Sequence, residues 1–228
     1  MKILAVETTQ ACSVALLDGD EVSSREDASP RAATRQVLPM VESLLGDAGL
    51  AVADLDALAF GRGPGGFTGL RIAAGVVQGL AFGGGLPVVP VSSLATFAQG
   101  AFASHGCRRV LVCVDARLDE VYWGSFVIDE AGLARPAAEE RLSAPDAVTP
   151  DGSDAWFAAG SGWDAYPQIE ERLAGRLEGR DAALLPSAAD VARLAADGFP
   201  DNAVEAAQAQ PVYLRNEVAW RKSPPPGK

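Results

Sequence analysis

The stretch Gly61-Arg62-Gly63-Pro64-Gly65-Gly66-Phe67-Thr68-Gly69-Leu70-Arg71 follows an apolar run and is predicted to open a helix. Its glycines at 61, 63 and 66 spell the G-x-G-x-x-G pattern of dinucleotide-binding turns. Such a site also needs an acidic residue for the ribose about 20 residues later, and no Asp or Glu occurs between Asp56 and Asp115. A P-loop is excluded as well, because Phe67 stands where the phosphate-binding lysine is required. The stretch is therefore interpreted as a glycine-rich turn that leads into an unusual helix.

The composition outside this stretch favours a soluble globular protein of one large or two small domains. The chain has 228 residues, 48% of them apolar, which is enough for a packed core. Its net charge of −11 argues against a general attraction to phosphate backbones. The uncharged run 72–91 is broken by glycines and prolines, so we expect no membrane span. Three cysteines, Cys12, Cys107 and Cys113, without close spacing predict no disulfide framework and favour the cytoplasm.

Hydrophobic periodicity predicts an α/β chain. The first half is expected to contain strands at Ile3–Val6, Ser13–Leu17, Glu21–Arg25, Leu55–Phe60 and Val88–Val91, and helices at Thr34–Ala48, Phe67–Phe82 and Leu94–Ser104. A strand, a helix and a second strand in that order imply parallel pairing. The pattern restarts after Gly106, which predicts an N-terminal domain over residues 1–106 and a smaller C-terminal domain over 107–228. In the second domain, Ala182–Leu185 is assigned to the continuing α/β pattern and Ala134–Asp154 to a surface connection.

Six segments occur in an order that resembles one protein family. They are ILAVETT at 3–9, ACSVAL at 11–16, VLPMV at 37–41, the glycine-rich stretch at 61–71, DARLDEVYW at 115–123 and PVYLRN at 211–216. On these segments the chain resembles the TsaB family, also called YeaZ, nearly from end to end. The set of six in order is much more specific than any single segment.

The resemblance implies a two-domain fold of the actin, Hsp70 and sugar-kinase (ASKHA) superfamily, with mixed sheets and flanking helices. It implies a non-catalytic subunit that binds and activates a TsaD-like threonylcarbamoyltransferase, which makes threonylcarbamoyladenosine beside the tRNA anticodon. A TsaE-like ATPase is the expected further partner, so ATP is used by partner subunits, and tRNA is reached only through the complex. Two alternatives remain open: an ATP-dependent enzyme or glycoprotease-like protein acting alone, and a homodimer with a binding role of its own.

The resemblance also predicts that catalytic groups are missing. Catalytic relatives hold a metal through H-x-x-x-H after the strand that corresponds to Val88–Val91. Ser93 and Phe97 occupy the histidine positions here, so we expect no metal site of that kind, no catalytic residue and no cofactor. The single histidine, His105, is predicted to be solvated or to cap a helix end.

The superfamily's nucleotide-binding turns are altered in this chain. Glu7, Thr8, Thr9 and Asp115 occupy the corresponding positions, but Glu7 replaces an aspartate. Ala116 also carries a Cβ where glycine would let backbone N–H groups approach a phosphate. We therefore expect a vestigial nucleotide site with weak or no ATP binding. The alternative is that Thr8 and Thr9 bond the turn backbone and Asp115 caps a strand end.

Gly75, Gly79 and Gly83 follow Arg71 at intervals of four residues, which places a stripe without side chains on one helix face. Each helical glycine costs up to about 1 kcal/mol relative to alanine, so the stripe implies a close approach by another helix or by the protein's own sheet. In the TsaB family, the first two helices form a bundle with those of TsaD. The predicted partner-binding residues are Val37, Val41, Leu44, Arg62, Gly63, Pro64, Phe67, Thr68, Arg71, Gly75, Gly79 and Gly83.

The segment from Pro211 to Lys228 is basic, with four Arg and Lys against one Glu and with Tyr213 and Trp220 among them. Its charge and aromatic residues fit a contact with RNA. They fit a solvated basic tail as well.

Overall fold

A computed structural model describes residues 1–29 and 31–215 of the chain. Its first sheet has the strand order β3-β2-β1-β4-β5. The strands are β1 (Lys2–Glu7), β2 (Cys12–Asp18), β3 (Glu21–Asp27), β4 (Ala57–Gly61) and β5 (Val88–Val91). β1 pairs antiparallel with β2 and parallel with β4, and β4 pairs parallel with β5. The carboxyl ends of β1, β4 and β5 therefore meet at one edge of the sheet, which brings Glu7 beside Gly61.

Two helices cover one face of this sheet. They are α1 (Ala32–Ala48) and α2 (Phe67–Gly84), which contact each other and share one apolar core with the sheet. Each ends at a glycine in the left-handed region, Gly49 with φ 65° and Gly85 with φ 65°. Glycine adopts this conformation without a steric penalty and is a common helix stop for that reason.

The second sheet has the order β11-β10-β6-β7-β8, with β9 also paired to β7. Its strands are β6 (Arg109–Arg117), β7 (Glu120–Ile128), β8 (Ala134–Pro136), β9 (Arg141–Ser143), β10 (Trp156–Ala159) and β11 (Leu177–Asp181). The remaining helices are α3 (Ser93–His105), α4 (Gly162–Ala165), α5 (Gln168–Leu173) and α6 (Ala188–Gly198). The structure thus has two mixed sheets with flanking helices, as predicted.

Two helices pack against the sheet formed by the other half of the chain. α3 precedes residue 106 but packs in a core with β6, β7 and β10. α6 follows residue 107 but packs on the first sheet, against residues of β1, β2, β4 and β5. A single division at residue 106 therefore separates the strands of the two sheets. It does not assign α3 and α6 to the sheets on which they pack. α3 and α6 contact each other between the sheets.

Two local predictions need correction. The connection Ala134–Asp154 contains the short strands β8 and β9, which extend the second sheet through β7. Ala182–Leu185, assigned above to the continuing α/β pattern, lies in irregular backbone directly after β11 (Leu177–Asp181). Alternating polar residues in β11, which is an edge strand, hid this strand from a search for apolar runs. Over residues 1–29 and 31–215, no helix has the length and apolar character needed to cross a membrane.

Candidate functional site

The glycine-rich turn packs against the turn that follows β1. A Cβ at Gly69 would lie 1.8 Å from the carbonyl oxygen of Thr8, and one at Gly66 would lie 2.8 Å from that of Thr9. A Cβ at Gly65 would lie 2.7 Å from the Thr9 Cβ. Real Cβ atoms do not approach other atoms this closely, so these glycines are required by packing within the chain. The motif that resembles a nucleotide-binding fingerprint therefore has a structural cause.

Glu7 is fully buried behind this turn, and its carboxylate faces Gly61, where a Cβ would lie 1.8 Å from Oε2. Its Oε1 accepts the Thr9 N–H at 2.7 Å, and its Oε2 accepts the Ser93 hydroxyl at 3.0 Å. Burial raises the pKa of Glu7 above its usual value, and these hydrogen bonds only partly oppose that effect. The side chain is enclosed by its own turn and does not face the space between the domains.

The other predicted nucleotide-site residues divide into two kinds. Thr8 is buried, and its hydroxyl donates to the Gly69 carbonyl at 2.7 Å, so it serves the backbone as the alternative interpretation held. Asp115 accepts the Arg117 N–H at 2.8 Å and the Tyr166 hydroxyl at 3.2 Å, which caps the end of β6. The Thr9 hydroxyl oxygen is buried and has no hydrogen-bond partner among the described residues. Of the four predicted nucleotide-site residues, Thr9 and Asp115 line the space between the glycine-rich turn and the second sheet, and Glu7 and Thr8 do not.

That space is a cleft of about 1200 Å³ between the glycine-rich turn and the second sheet. Its walls are formed by the two turns, the end of β6, the hairpin after it and the segment before residue 216. The lining includes Thr9, Phe67, Arg71, Phe97, Asp115, Arg117, Leu118, Tyr122, Ser161, Tyr213 and Arg215. The Arg117 guanidinium lies 3.0 Å from the Asp115 carboxylate, so one acid in the cleft is already paired.

Within the described ranges, no group of three or more His, Cys, Asp or Glu side chains is arranged to hold a metal ion. His105 lies in the last turn of α3, where its ring stacks on Phe157 at 4.7 Å and its Nε2 lies 3.0 Å from Asp181. The hydrogen bond from His105 lowers the pKa of Asp181. His105 does not line the cleft and is placed to fix the end of α3.

The prediction that Val37, Val41 and Leu44 contact a partner is wrong for their side chains. All three point into the core beneath α1 and are at most 4% exposed. Their spacing is that of the apolar stripe of an amphipathic helix, and such a stripe packs on the protein's own sheet first. A partner that binds α1 must use its outer face, where Leu38 is 53% exposed.

The predicted glycine stripe of α2 faces outward. Gly75, Gly79 and Gly83 are exposed, and a Cβ on any of them would meet no atom of the described chain within 4 Å beyond its immediate helix backbone. The alternative that these glycines bring α2 close to its own sheet is therefore wrong. Phe82 lies on the same face, three residues after Gly79, and is 87% exposed. We call Gly75, Gly79, Phe82 and Gly83 the α2 face.

The first turn of α2 is also exposed. Phe67, Thr68 and Arg71 reach the surface, and the Arg71 guanidinium lies 3.8 Å above the Phe67 ring. Gly63 and Pro64 were predicted in the same group but are buried, and Arg62 is half-buried with both backbone groups hydrogen-bonded. Gly63 packs against the segment at Val212, and Pro64 lines the cleft, so their predicted contact with a partner stays a prediction.

Sequence reasoning missed Phe82 on α2 and Leu38 on α1, two exposed apolar side chains. A signal for Phe82 was present, since it falls on the glycine stripe at a spacing of three residues from Gly79. Nothing in the periodicity of α1 distinguishes Leu38 from a core residue.

Comparison with known proteins gives one consistent result. A family model described as TsaD, tRNA N6-adenosine threonylcarbamoyltransferase, matches residues 26–219. The Escherichia coli K12 protein named tRNA threonylcarbamoyladenosine biosynthesis protein TsaB is 42% identical over 229 residues, 98% of this chain and 99% of its own. The TsaB protein of Haemophilus influenzae is 40% identical over 234 residues, 98% of each chain.

A solved structure of YeaZ from Pseudomonas aeruginosa is 44% identical to this chain, with a TM-score of 0.85 over 93% of this chain and 100% of that one. The predicted fold class is thereby confirmed. The chain belongs to the TsaB (YeaZ) family.

Proposed function

We propose that this chain is a non-catalytic subunit in the synthesis of tRNA threonylcarbamoyladenosine, and that it binds and activates a TsaD-like threonylcarbamoyltransferase through the α2 face and the outer side of α1. The names of the relatives place them in this biosynthesis. The observation that carries the proposal is the α2 face itself, with three bare glycines around one almost fully exposed phenylalanine.

The energetics of the α2 face favour an external partner. Glycine in a helix interior costs up to about 1 kcal/mol relative to alanine, and nothing in the described chain uses the space that Gly75, Gly79 and Gly83 leave open. Small residues let a second helix approach closely, and an exposed aromatic ring beside them is a typical binding anchor. A helix pair that packs over the glycines and buries Phe82 would use both features.

The state of the polar groups supports a non-catalytic role. Glu7 is bonded to Thr9 and Ser93, and Thr8 is bonded to the Gly69 carbonyl. Asp115 is bonded to Arg117 and Tyr166. A nucleophile with an adjacent base, or a pair of carboxylates free to bind a metal, is the usual sign of catalysis. ATP is then used by the partner subunits, including a TsaE-like ATPase.

The net charge of −11 suggests that tRNA is reached through the complex rather than by this chain alone. The basic residues of the tail beyond Arg215 lie outside the described residues. In the absence of the partner, the same apolar face can pair two copies of the chain into a homodimer. We place the assembly in the cytoplasm, in keeping with three cysteines that are all free and buried.

The experiment compares Gly75→Leu and Gly79→Leu with the parent and with Gly175→Leu. Gly175 is exposed in the second domain and has nothing within 4 Å of its Cβ among the described residues, so it controls for an added surface leucine. Overpacking costs about 1–3 kcal/mol, so affinity for the purified TsaD-like subunit should fall roughly 5- to 150-fold. The melting temperature of isolated Gly75→Leu and Gly79→Leu should equal or slightly exceed that of the parent, because leucine has a higher helix propensity than glycine and its Cβ meets no atom of the described chain.

Calorimetric titration measures the affinity of each variant for the TsaD-like subunit. The rate of tRNA modification by the reconstituted subunits measures the effect of each variant on activity. Folded Gly75→Leu and Gly79→Leu proteins that bind the partner as tightly as Gly175→Leu would contradict the proposed face. Loss of folding in these two variants would instead mean that the glycines serve the chain's own core.

The rival function is an ATP-dependent enzyme that acts alone. The observation in its favour is the cleft, which is large enough for a nucleotide and contains Thr9 and Asp115. ATP turnover by the purified chain that is abolished in Asp115→Ala would support this rival. The non-catalytic proposal predicts turnover at the background rate in both proteins.

A further inference from the structure

The segment 211–215 runs along the cleft from the glycine-rich turn to the hairpin between β6 and β7. At its start, the Val212 N–H donates to the Arg62 carbonyl at 2.7 Å, directly after β4. The Val212 carbonyl oxygen lies 2.9 Å from the position of a Cβ at Gly63. Because a side chain at Gly63 would displace this backbone, the segment is fixed closely to the glycine-rich turn.

The middle of the segment is held by the first turn of α2. The Tyr213 ring lies 5.6 Å from the Phe67 ring, and its hydroxyl accepts a hydrogen bond from Arg71 Nε at 3.3 Å. The Arg71 guanidinium also lies above the Phe67 ring. The two rings are tilted by 41° to each other, and an aromatic pair of this kind with a guanidinium over one ring is a favourable contact even where it is partly exposed.

The far end of the segment is bound to the second domain. The Arg215 guanidinium donates to the carbonyls of Ala116 at 3.0 Å and Arg117 at 3.3 Å, and it lies 2.8 Å from the Glu120 carboxylate. Its side chain is only 19% exposed. All three contacts are made by one nitrogen, Nη2, so a single cationic group joins this end of the segment to the hairpin.

The hairpin that Arg215 binds has an unfavourable backbone. Arg117, Leu118 and Asp119 have φ values of 63°, 58° and 59°, in the left-handed region that residues other than glycine rarely adopt. Such a conformation persists where its surroundings hold it. Arg215 holds it by bonding the two carbonyls at its start and the carboxylate of Glu120 just after it.

We propose that Pro211–Arg215 is an interdomain strap that fixes the width of the cleft, with Arg215 as its latch. The contact between α3 and α6 joins the domains between the sheets, and the strap joins them at the mouth of the cleft. Releasing Arg215 frees the second domain from the strap while Val212 and Tyr213 keep it attached to the first. The strap also ties cleft width to the first turn of α2, because Tyr213 contacts Phe67 and Arg71.

The test measures the distance between the domains in the full chain without any partner, so it is independent of the proposed function. Spin labels are placed at Ser43→Cys on α1 and Glu171→Cys on α5, both exposed, while the native cysteines are buried. Pulsed electron resonance should give a narrow distance distribution for the parent. In Arg215→Ala the distribution should broaden and its mean should shift.

Arg180→Ala is the matched control, because Arg180 pairs with Asp164 and Glu170 inside the second domain alone. It should leave the distribution unchanged. Arg215→Lys, which keeps a charged nitrogen near Glu120 on a more flexible side chain, should give an intermediate width and carries the test if Arg215→Ala does not fold. A folded Arg215→Ala or, failing that, Arg215→Lys protein with the parent's distribution would overturn the strap.

Discussion

The glycines before Arg71 and those after it differ in what surrounds them. Gly61, Gly65, Gly66 and Gly69 lie against the Glu7–Thr9 turn so closely that a Cβ on any of them would overlap an atom of that turn. Gly75, Gly79 and Gly83 lie further along the same chain segment and face open space. The first set, which we call the packed glycines, is explained by the fold of the chain, whereas the second set is not.

This difference shows how one residue type can have two origins within a few helical turns. The packed glycines mimic a nucleotide-binding fingerprint, yet their neighbours are the backbone and side chains of another turn. The glycines of the α2 face each destabilise the helix by up to about 1 kcal/mol relative to alanine. No packing contact within the described chain offsets this cost. Substitutions that add one methyl group should therefore have opposite effects on the two sets.

The largest effect is expected for Gly69→Ala. The new methyl group would lie 1.8 Å from the Thr8 carbonyl oxygen, which belongs to the backbone, so one of the two backbone segments would have to shift. We expect a loss of about 1–3 kcal/mol or more in the free energy of unfolding, despite alanine's higher helix propensity. Urea denaturation measures this loss. A Gly69→Ala protein as stable as the parent would remove the distinction between the two sets.

A smaller effect is expected for Glu7→Gln, which probes the acid beneath the packed glycines. Burial raises the pKa of Glu7 in the folded state above its usual value of 4.5. The folded chain therefore holds this proton more tightly than the unfolded chain, and the stability linked to it is lost as the pH rises from about 4.5 through the folded pKa. Each unit of pKa difference corresponds to about 1.4 kcal/mol.

Glutamine keeps the shape of the side chain and cannot ionise, so this pH-dependent loss should be absent in Glu7→Gln. The measurement is the free energy of unfolding of both proteins as the pH is raised from about 4.5, the direction in which a raised carboxyl pKa places the loss. Equal slopes in the two proteins would mean that Glu7 does not titrate in this range.

The smallest effect is expected for Asp115→Ala on nucleotide turnover. Asp115 is bonded to Arg117 and Tyr166, and the buried Glu7 is not available as a second carboxylate for a metal. We expect ATP hydrolysis by the parent at the background rate and no further change in the variant. A phosphate-release assay checks this, with Asp164→Ala on α4 as a control for loss of a surface acid.

Much of this arrangement could be predicted from the sequence, because local patterns determine it. The run Ile3–Val6 falls within β1, and the helix predicted over Phe67–Phe82 coincides with α2 to within two residues. The exchange of α3 and α6 between the layers could not be predicted, since it depends on which sheet each apolar stripe meets after the chain has crossed between the domains.

The site was predictable only in part for a related reason. The α2 glycines have a period that places them on one face, but the sequence does not state whether that face turns inward or outward. The apolar stripe of α1 was assigned to a partner because of the family resemblance, although Val37, Val41 and Leu44 are needed to cover the protein's own sheet. Which face of a helix turns towards the core depends on contacts between residues distant in sequence. The periodicity of a single helix carries no information about these contacts.

The central claim is that the glycines of the α2 face serve a partner and not the fold. Gly79→Ala tests it with two readouts on one variant. Alanine should raise the free energy of unfolding of the isolated chain by up to about 1 kcal/mol, since its methyl group meets no other part of the described structure. The same methyl group should lower the affinity for the TsaD-like subunit. A less stable isolated chain, or an unchanged affinity in a folded one, would contradict the claim.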